Sequence, residues 1–135
     1  MMSRKYMYII FSMILIYGCS EPQICPELIF DAEEKLTYVN GKVYTGRCLL
    51  VNNEIPRSIQ QYINGIDHGN WIFYFENGKV ETKGKFHKGK RIGVWKYYYP
   101  NGKIRQKSRY SNKGERKGNW TAYDSIGNLV SSKKY

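Results

Sequence analysis

Gly69-Asn70-Trp71-Ile72-Phe73-Tyr74-Phe75-Glu76-Asn77-Gly78-Lys79-Val80 decides the fold, because the chain goes on to repeat it. Gly93-Val94-Trp95-Lys96-Tyr97-Tyr98 and Gly118-Asn119-Trp120-Thr121-Ala122-Tyr123 restate its opening. After each Trp a glycine follows (Gly78, Gly102, Gly127), then an aliphatic (Val80, Ile104, Leu129), then an aromatic (Phe86, Tyr110, Tyr135). A degraded earlier copy runs from Tyr38 through Gly41 and Gly46 to Cys48, which stands where Trp would, and on to Tyr62 and Gly65. The aromatics Tyr38, Tyr62, Phe86, Tyr110 and Tyr135 therefore step by 24, 24, 24 and 25 residues. Such a fixed period is the mark of a repeat array.

Each unit reads as two strands. Trp71 to Phe75 is short and aromatic, and Asn77-Gly78 is the strongest signal for a two-residue hairpin turn, since both residues tolerate positive φ. Val80 to Phe86 returns, and His87-Lys88-Gly89-Lys90 turns the chain into the next unit. Side chains alternate across a strand, so Val80, Thr82, Gly84 and Phe86 share one face and Glu81, Lys83 and Lys85 the other. The next unit sets Ile104, Gln106, Ser108 and Tyr110 against Arg105, Lys107 and Arg109. One unit cannot bury its Trp, whereas stacked units can. The expectation is an all-β protein: an elongated, single-layer antiparallel meander of stacked hairpins with a period of about 24 residues. Its core would be Trp71, Tyr74, Phe86, Trp95, Tyr98, Tyr110, Trp120, Tyr123 and Tyr135, over residues 38–135 in units of about 38–61, 62–85, 86–109 and 110–135. Lysines would partly blunt the sheet edges.

Composition agrees. Hydrophobic residues are 41% and charged residues 24% of the 135, which excludes a disordered chain. An aromatic share of 16% with 13 Gly favours strands and turns over a helical bundle. With only two His and three Cys, a closed structural zinc site of four Cys/His ligands is not expected. The net charge of +11 is unevenly spread: residues 21–78 hold 4 basic and 8 acidic groups, residues 79–135 hold 16 and 3.

The first residues read as an address. Met1-Met2-Ser3-Arg4-Lys5 is basic, and Tyr6 to Tyr17 is an apolar run too short to span a bilayer but suited to a secretory signal. Its end, Ile16-Tyr17-Gly18-Cys19, resembles the bacterial lipobox. That resemblance implies lipidation of Cys19, removal of residues 1–18, and an N-terminal arm over 19–37. It implies a membrane partner reached through the acyl chains, and a place in the bacterial cell envelope. Ser20, rather than Asp, favours outer-membrane sorting, on the periplasmic or surface face. Two or three acyl chains anchor a small domain stably, at about 0.8 kcal/mol per buried methylene.

The pattern Gly-x-Trp-x-x-Tyr-x-x-x-Gly-x-aliphatic resembles the MORN-type (membrane occupation and recognition nexus) repeat in its bacterial variant. Whole chains of this kind are commonly labelled YwqK-family antitoxins of toxin–antitoxin systems. The resemblance implies a β-hairpin array and an antitoxin class of function. The first copy departs from it, with Cys48 in the Trp position and no Asn-Gly near Asn52-Asn53-Glu54.

No catalytic constellation stands out. Asp67-His68 and Asp124-Ser125 fall where turns are expected, and Asp at a turn caps its own backbone. His68 and His87 lack neighbouring ligands, so no metal site is expected. Asn77-Gly78-Lys79 and Asn101-Gly102-Lys103 lack the Lys-Ser/Thr and following helix of a phosphate loop. The reading is a non-enzyme without cofactor. Once Cys19 carries lipid, Cys25 and Cys48 are an even pair in an oxidising compartment. A bridge would staple the arm to the Trp-less unit; two isolated thiols, with Cys48 filling the Trp position, are the alternative. Lys83, Lys85, Arg105, Lys107, Arg109 and Lys134 form the candidate binding face, for an acidic protein or an anionic envelope component. A solvated, aggregation-resistant face is the alternative. Nucleic acid suits basic residues among aromatics, but an exported protein rarely meets it. Two functions follow: a lipid-anchored interaction scaffold, or an antitoxin or immunity-type protein that neutralises a toxin by direct binding.

Overall fold

A hairpin array needs a reversal at each end of every strand, and the two ends here use different turns. The structure is a computed structural model that describes residues 22–25 and 27–135. Its strands are β1 (Gln23–Ile24), β2 (Ile29–Asp31), β3 (Leu36–Val39), β4 (Lys42–Val43), β5 (Gly46–Asn52), β6 (Ile55–Ile63) and β7 (Ile66–Asp67). They continue as β8 (Gly69–Tyr74), β9 (Val80–His87), β10 (Lys90–Tyr98), β11 (Ile104–Tyr110), β12 (Asn119–Tyr123) and β13 (Leu129–Lys134). The main sheet runs β1-β5-β6-β8-β9-β10-β11-β12-β13, with β7 on β6, and every pair in it is antiparallel except β1 on β5. Strands β2, β3 and β4 form a small separate sheet, linked to the β6–β7 turn by Thr37 N–H to Gly65 O (2.8 Å) and Gly65 N–H to Tyr44 O (2.7 Å). The all-β meander expected from the repeat is the fold observed.

At the unit-to-unit end, Asn40-Gly41, Asn64-Gly65 and Lys88-Gly89 are two-residue turns with both residues at positive φ. In the fourth unit this turn is one residue longer: Ser111 and Glu115 close a loop containing Asn112, Lys113 and Gly114. That extra residue accounts for the last step of 25 in the aromatic series.

At the opposite end the Asn-Gly reading needs correction. Phe75 N–H bonds to Lys79 O and Gly78 N–H to Phe75 O, and only Gly78 of the Asn77-Gly78 pair has positive φ. This is a three-residue loop, a type I turn followed by a bulging glycine, not a two-residue turn. Asn77 has another task there. Its Oδ1 accepts from Lys79 N–H (3.0 Å) while its Nδ2 donates to Pro100 O (3.2 Å) in the next loop. Asn101 repeats this with Lys103 N–H (2.9 Å) and Ser125 O (2.8 Å). In the last loop Asp124 caps its own turn, accepting from Ile126, Gly127 and Asn128 N–H. The one two-residue turn at this end is Asn53-Glu54, in the first unit, with both residues at positive φ.

Between the turns the chain bends at a glycine two residues before each Trp: Gly69, Gly93 and Gly118 all sit near φ 65° (64°, 65° and 65°), a conformation that costs a side chain about 1 kcal/mol or more. Past the bend each Trp lies in the crease, and its indole N–H donates to a backbone carbonyl of the previous unit. The pairs are Trp71 to Gln61 (3.0 Å), Trp95 to Lys85 (3.3 Å) and Trp120 to Arg109 (3.0 Å). The aromatic series fills the gaps. Phe86 lies 4.7 Å from Trp71 and 5.0 Å from Trp95, and Trp120 lies between Tyr110 (5.3 Å) and Tyr135 (5.0 Å). Trp95 is 1% exposed because Gly84 lies directly beneath it: a Cβ there would stand 2.2 Å from Trp95 Cδ2.

The first unit solves the same problem without an indole. Tyr44 packs against Tyr62 (5.9 Å), much as Trp71 does from the other side (5.4 Å), and its hydroxyl donates to Arg47 O (3.2 Å). Cys48, 0% exposed, is disulfide-bonded to Cys25 with the Cα atoms 5.5 Å apart, which holds the parallel strand β1 against β5.

Candidate interaction surface

Residues paired across an antiparallel ladder share a face, so the register sorts the sheet into two surfaces. Trp71↔Gly84, Trp95↔Ser108 and Trp120↔Lys133 fix the indole face. It is not purely apolar. Arg91 lies 4.5 Å over Trp95, and Arg116 lies 5.0 Å over Trp120 and 5.2 Å over Tyr135, so guanidinium groups cap the rings by cation–π contact.

The opposite surface carries Lys83, Lys85, Lys107, Arg109 and Lys134, as strand alternation expects; Arg105, expected with them, falls in the bulge between Tyr97 and Tyr98, where it has no Cα partner and the alternation is broken. The surface also carries Lys96, which sequence reading missed because it was absorbed into the Trp motif; its place next to Trp95 in a strand was signal enough. One continuous row of Cα partners crosses this face. It starts with Ile24, Leu49, Ile59 and Ile72, continues with Lys83, Lys96 and Lys107, and ends in Thr121 and Ser132. At about 4.8 Å per strand the row spans about 38 Å. Aliphatic residues occupy one end and ammonium groups the middle.

Three lysines directly opposed on neighbouring strands repel one another, an arrangement that costs stability in a sheet. Among the described residues, no ion pair engages Lys83, Lys85, Lys96, Arg105, Lys107 or Arg109; the Arg57–Glu76 pair (2.9 Å) lies elsewhere. Tyr98 and Tyr123, expected in the core, instead lie beneath the ammonium groups of Lys83 (5.6 Å) and Lys107 (5.8 Å). Alternation from the Trp explains it, since three residues along a strand is the opposite face. Tyr74 has the same place in its own unit, paired with Val80 and half-buried.

The row is indented where aliphatic meets basic. The β9–β10 register jumps between Ile92 and Lys96. The result is a hollow of about 380 Å³ lined by Asn70, Trp71, Ile72, Lys83, Gly84, Lys85, Val94 and Lys96. Val94 on its rim is 39% exposed.

The other sequence-singled positions lie apart from this surface. His68 and His87 lie tilted against each other with ring centres 5.0 Å apart at the joint between units, and burial first, then the charges of His87, Lys85 and Lys88, lower the His68 pKa. Burial raises the Asp67 carboxyl and pushes the Tyr62 phenol well up. Among the described residues, no group of three or more His, Cys, Asp or Glu side chains is placed to hold a metal ion. Cys19 and residues 1–18 lie outside the described residues.

Comparison with known proteins bears on the repeat. Residues 67–88 and 91–112 match the MORN repeat variant, two adjacent units of the array. No curated protein matches the chain. Among solved structures, a chain from the crystal structure of a GtfA/B complex bound to UDP and GlcNAc aligns at 13% identity with a TM-score of 0.36. The alignment takes in 87% of this chain but only 27% of that one. A likeness this weak carries no argument.

Proposed function

We propose that this protein is a non-catalytic interaction scaffold of the bacterial cell envelope, held to a membrane by lipid on Cys19, that binds partners through its lysine face. The observation that carries this reading is the unpaired row Lys83–Lys96–Lys107 with Lys85 and Arg109 beside it. A sheet that accepts opposed like charges with no acidic partner is arranged for an outside anion, and such a field also speeds encounter with an acidic surface. The lipobox resemblance at Ile16-Tyr17-Gly18-Cys19 supports the anchor, and the match to the MORN repeat variant supports a binding rather than a catalytic array.

Two experiments test it. Metabolic labelling with a fatty acid should mark the wild type and not Cys19→Ala; equal labelling of both, or none, removes the anchor. Polyglutamate should bind the full chain at low salt, and the triple change Lys83→Glu, Lys96→Glu, Lys107→Glu should abolish binding. Reversing three loop lysines, Lys88, Lys113 and Lys117, should leave most of it. Equal losses in the two triples would mean that only net charge matters, and that the face is merely solvated.

A further inference from the structure

We infer that the lysine face seats an acidic, amphipathic segment of a partner protein, with an apolar anchor in the hollow between Ile72 and Val94 and its carboxylates on Lys83, Lys85 and Lys96. The inference deepens the scaffold reading and rests on it. Charge alone would suit any polyanion, but the surface is not charge alone. The row that supplies the lysines begins with four aliphatic residues, and the hollow lies where the two chemistries meet. Its lining sets Ile72 and Val94 among Lys83, Lys85 and Lys96, beside Asn70, Trp71 and Gly84, and a lysine brings an apolar stem as well as a charge. An apolar centre inside a charged rim is the anatomy of a protein–protein hot spot, where one anchor fills a pocket and neighbouring charges set register.

A bilayer fits this surface less well. The protein's three tryptophans lie on the opposite face, their indoles bonded to backbone carbonyls, so none is free to seat at a lipid interface. A planar array of headgroups also leaves a recess empty, whereas a leucine-sized side chain fills part of it. The row gives the ligand a direction: apolar residues toward β1 and acidic residues toward β11, along a segment lying across the strands.

The test uses the full chain in neutral detergent and two fluorescent probes, an extended peptide with leucines in one half and glutamates in the other and its Leu→Ser counterpart. The expected result is that the leucine peptide binds at least about tenfold more tightly, one anchor side chain being worth that much or more. Val94→Ser and, separately, Ile72→Ser should remove that difference while leaving the Leu→Ser peptide unaffected. Both changes lie on the face away from the indoles, so unchanged tryptophan fluorescence certifies the fold. Equal binding of the two peptides would overturn the anchor and leave the basic-face reading standing. Binding to vesicles of phosphatidylglycerol and phosphatidylcholine, lost in Lys96→Glu, with neither peptide bound, would overturn the protein partner in favour of a membrane. No binding of peptides, vesicles or polyglutamate would overturn both readings.

Discussion

The first unit and the three units after it face the same demand, to fill the crease of a bent hairpin, and they meet it with different chemistry. Units two to four use an indole that packs tilted or edge-on against an aromatic of the series and donates to the preceding unit, so each is held by its neighbour. The first unit uses Tyr44 and a disulfide, and its cross-link reaches back to the arm rather than forward along the array. In a nearest-neighbour array such a unit acts as a cap: it closes one end without needing a further repeat behind it. The charge divides one unit later, within the second unit: acidic up to residue 78 and strongly basic beyond it.

The largest effect should come from the centre of the indole series. Trp95→Ala removes a side chain that is 1% exposed, with Phe86 on it and Gly84 beneath, and should cost about 4 kcal/mol. Trp120→Ala should cost visibly less, because that indole is half-exposed near the end of the sheet. Urea denaturation of the two variants checks the order. Equal losses would mean that stacking within a unit, not burial between units, sets the stability of the array.

Removing the disulfide should rank next. Cys25 and Cys48 are 23 residues apart, and closing a loop of that length is worth about 3 kcal/mol. The effect should also be local. A thiol reductant should speed amide hydrogen exchange in β1 and β5 while tryptophan fluorescence, which reports units two to four, stays unchanged. A matching change in fluorescence would show that the first unit holds the others in place and is more than a cap.

How far these differences could be read in the sequence depends on what each one requires. The 24-residue period, the Trp core and the lysine face follow from spacing and alternation, and those need only one strand at a time. Alternation also put Tyr98 opposite Trp95 and Lys96 beside Lys83, but treating the whole Gly-x-Trp-x-x-Tyr motif as core hid both. The row from Ile24 to Ser132 depends on the register of nine strands, which bulges between Leu50 and Val51 and between Tyr97 and Tyr98 shift by amounts no single strand encodes. Asn77-Gly78 misled for a similar reason. The dipeptide permits a two-residue turn, but the hydrogen bond from its amide to Pro100 exists only once the next unit is in place.

The smallest effect concerns the loops, where the first unit again stands apart. Units two to four close with three-residue loops whose one left-handed position is a glycine: Gly78, Gly102 and Gly127. The first closes with Asn53-Glu54, which puts Glu54 at φ 63°, a conformation poorly tolerated by a glutamate and well tolerated by glycine. Glu54→Gly should therefore stabilise the protein, by about 0.5 to 1 kcal/mol, the relief of local strain less the added freedom of the unfolded chain. Gly78→Ala should destabilise by a similar amount, although a Cβ there would meet nothing within 4 Å, because its φ of 78° is the whole cost. Thermal melts of the two variants give opposite signs if backbone strain is the difference between the loops. A loss in Glu54→Gly would mean instead that the tight Asn53-Glu54 turn is held by its side chain, and that the first hairpin is built on its own rule from end to end.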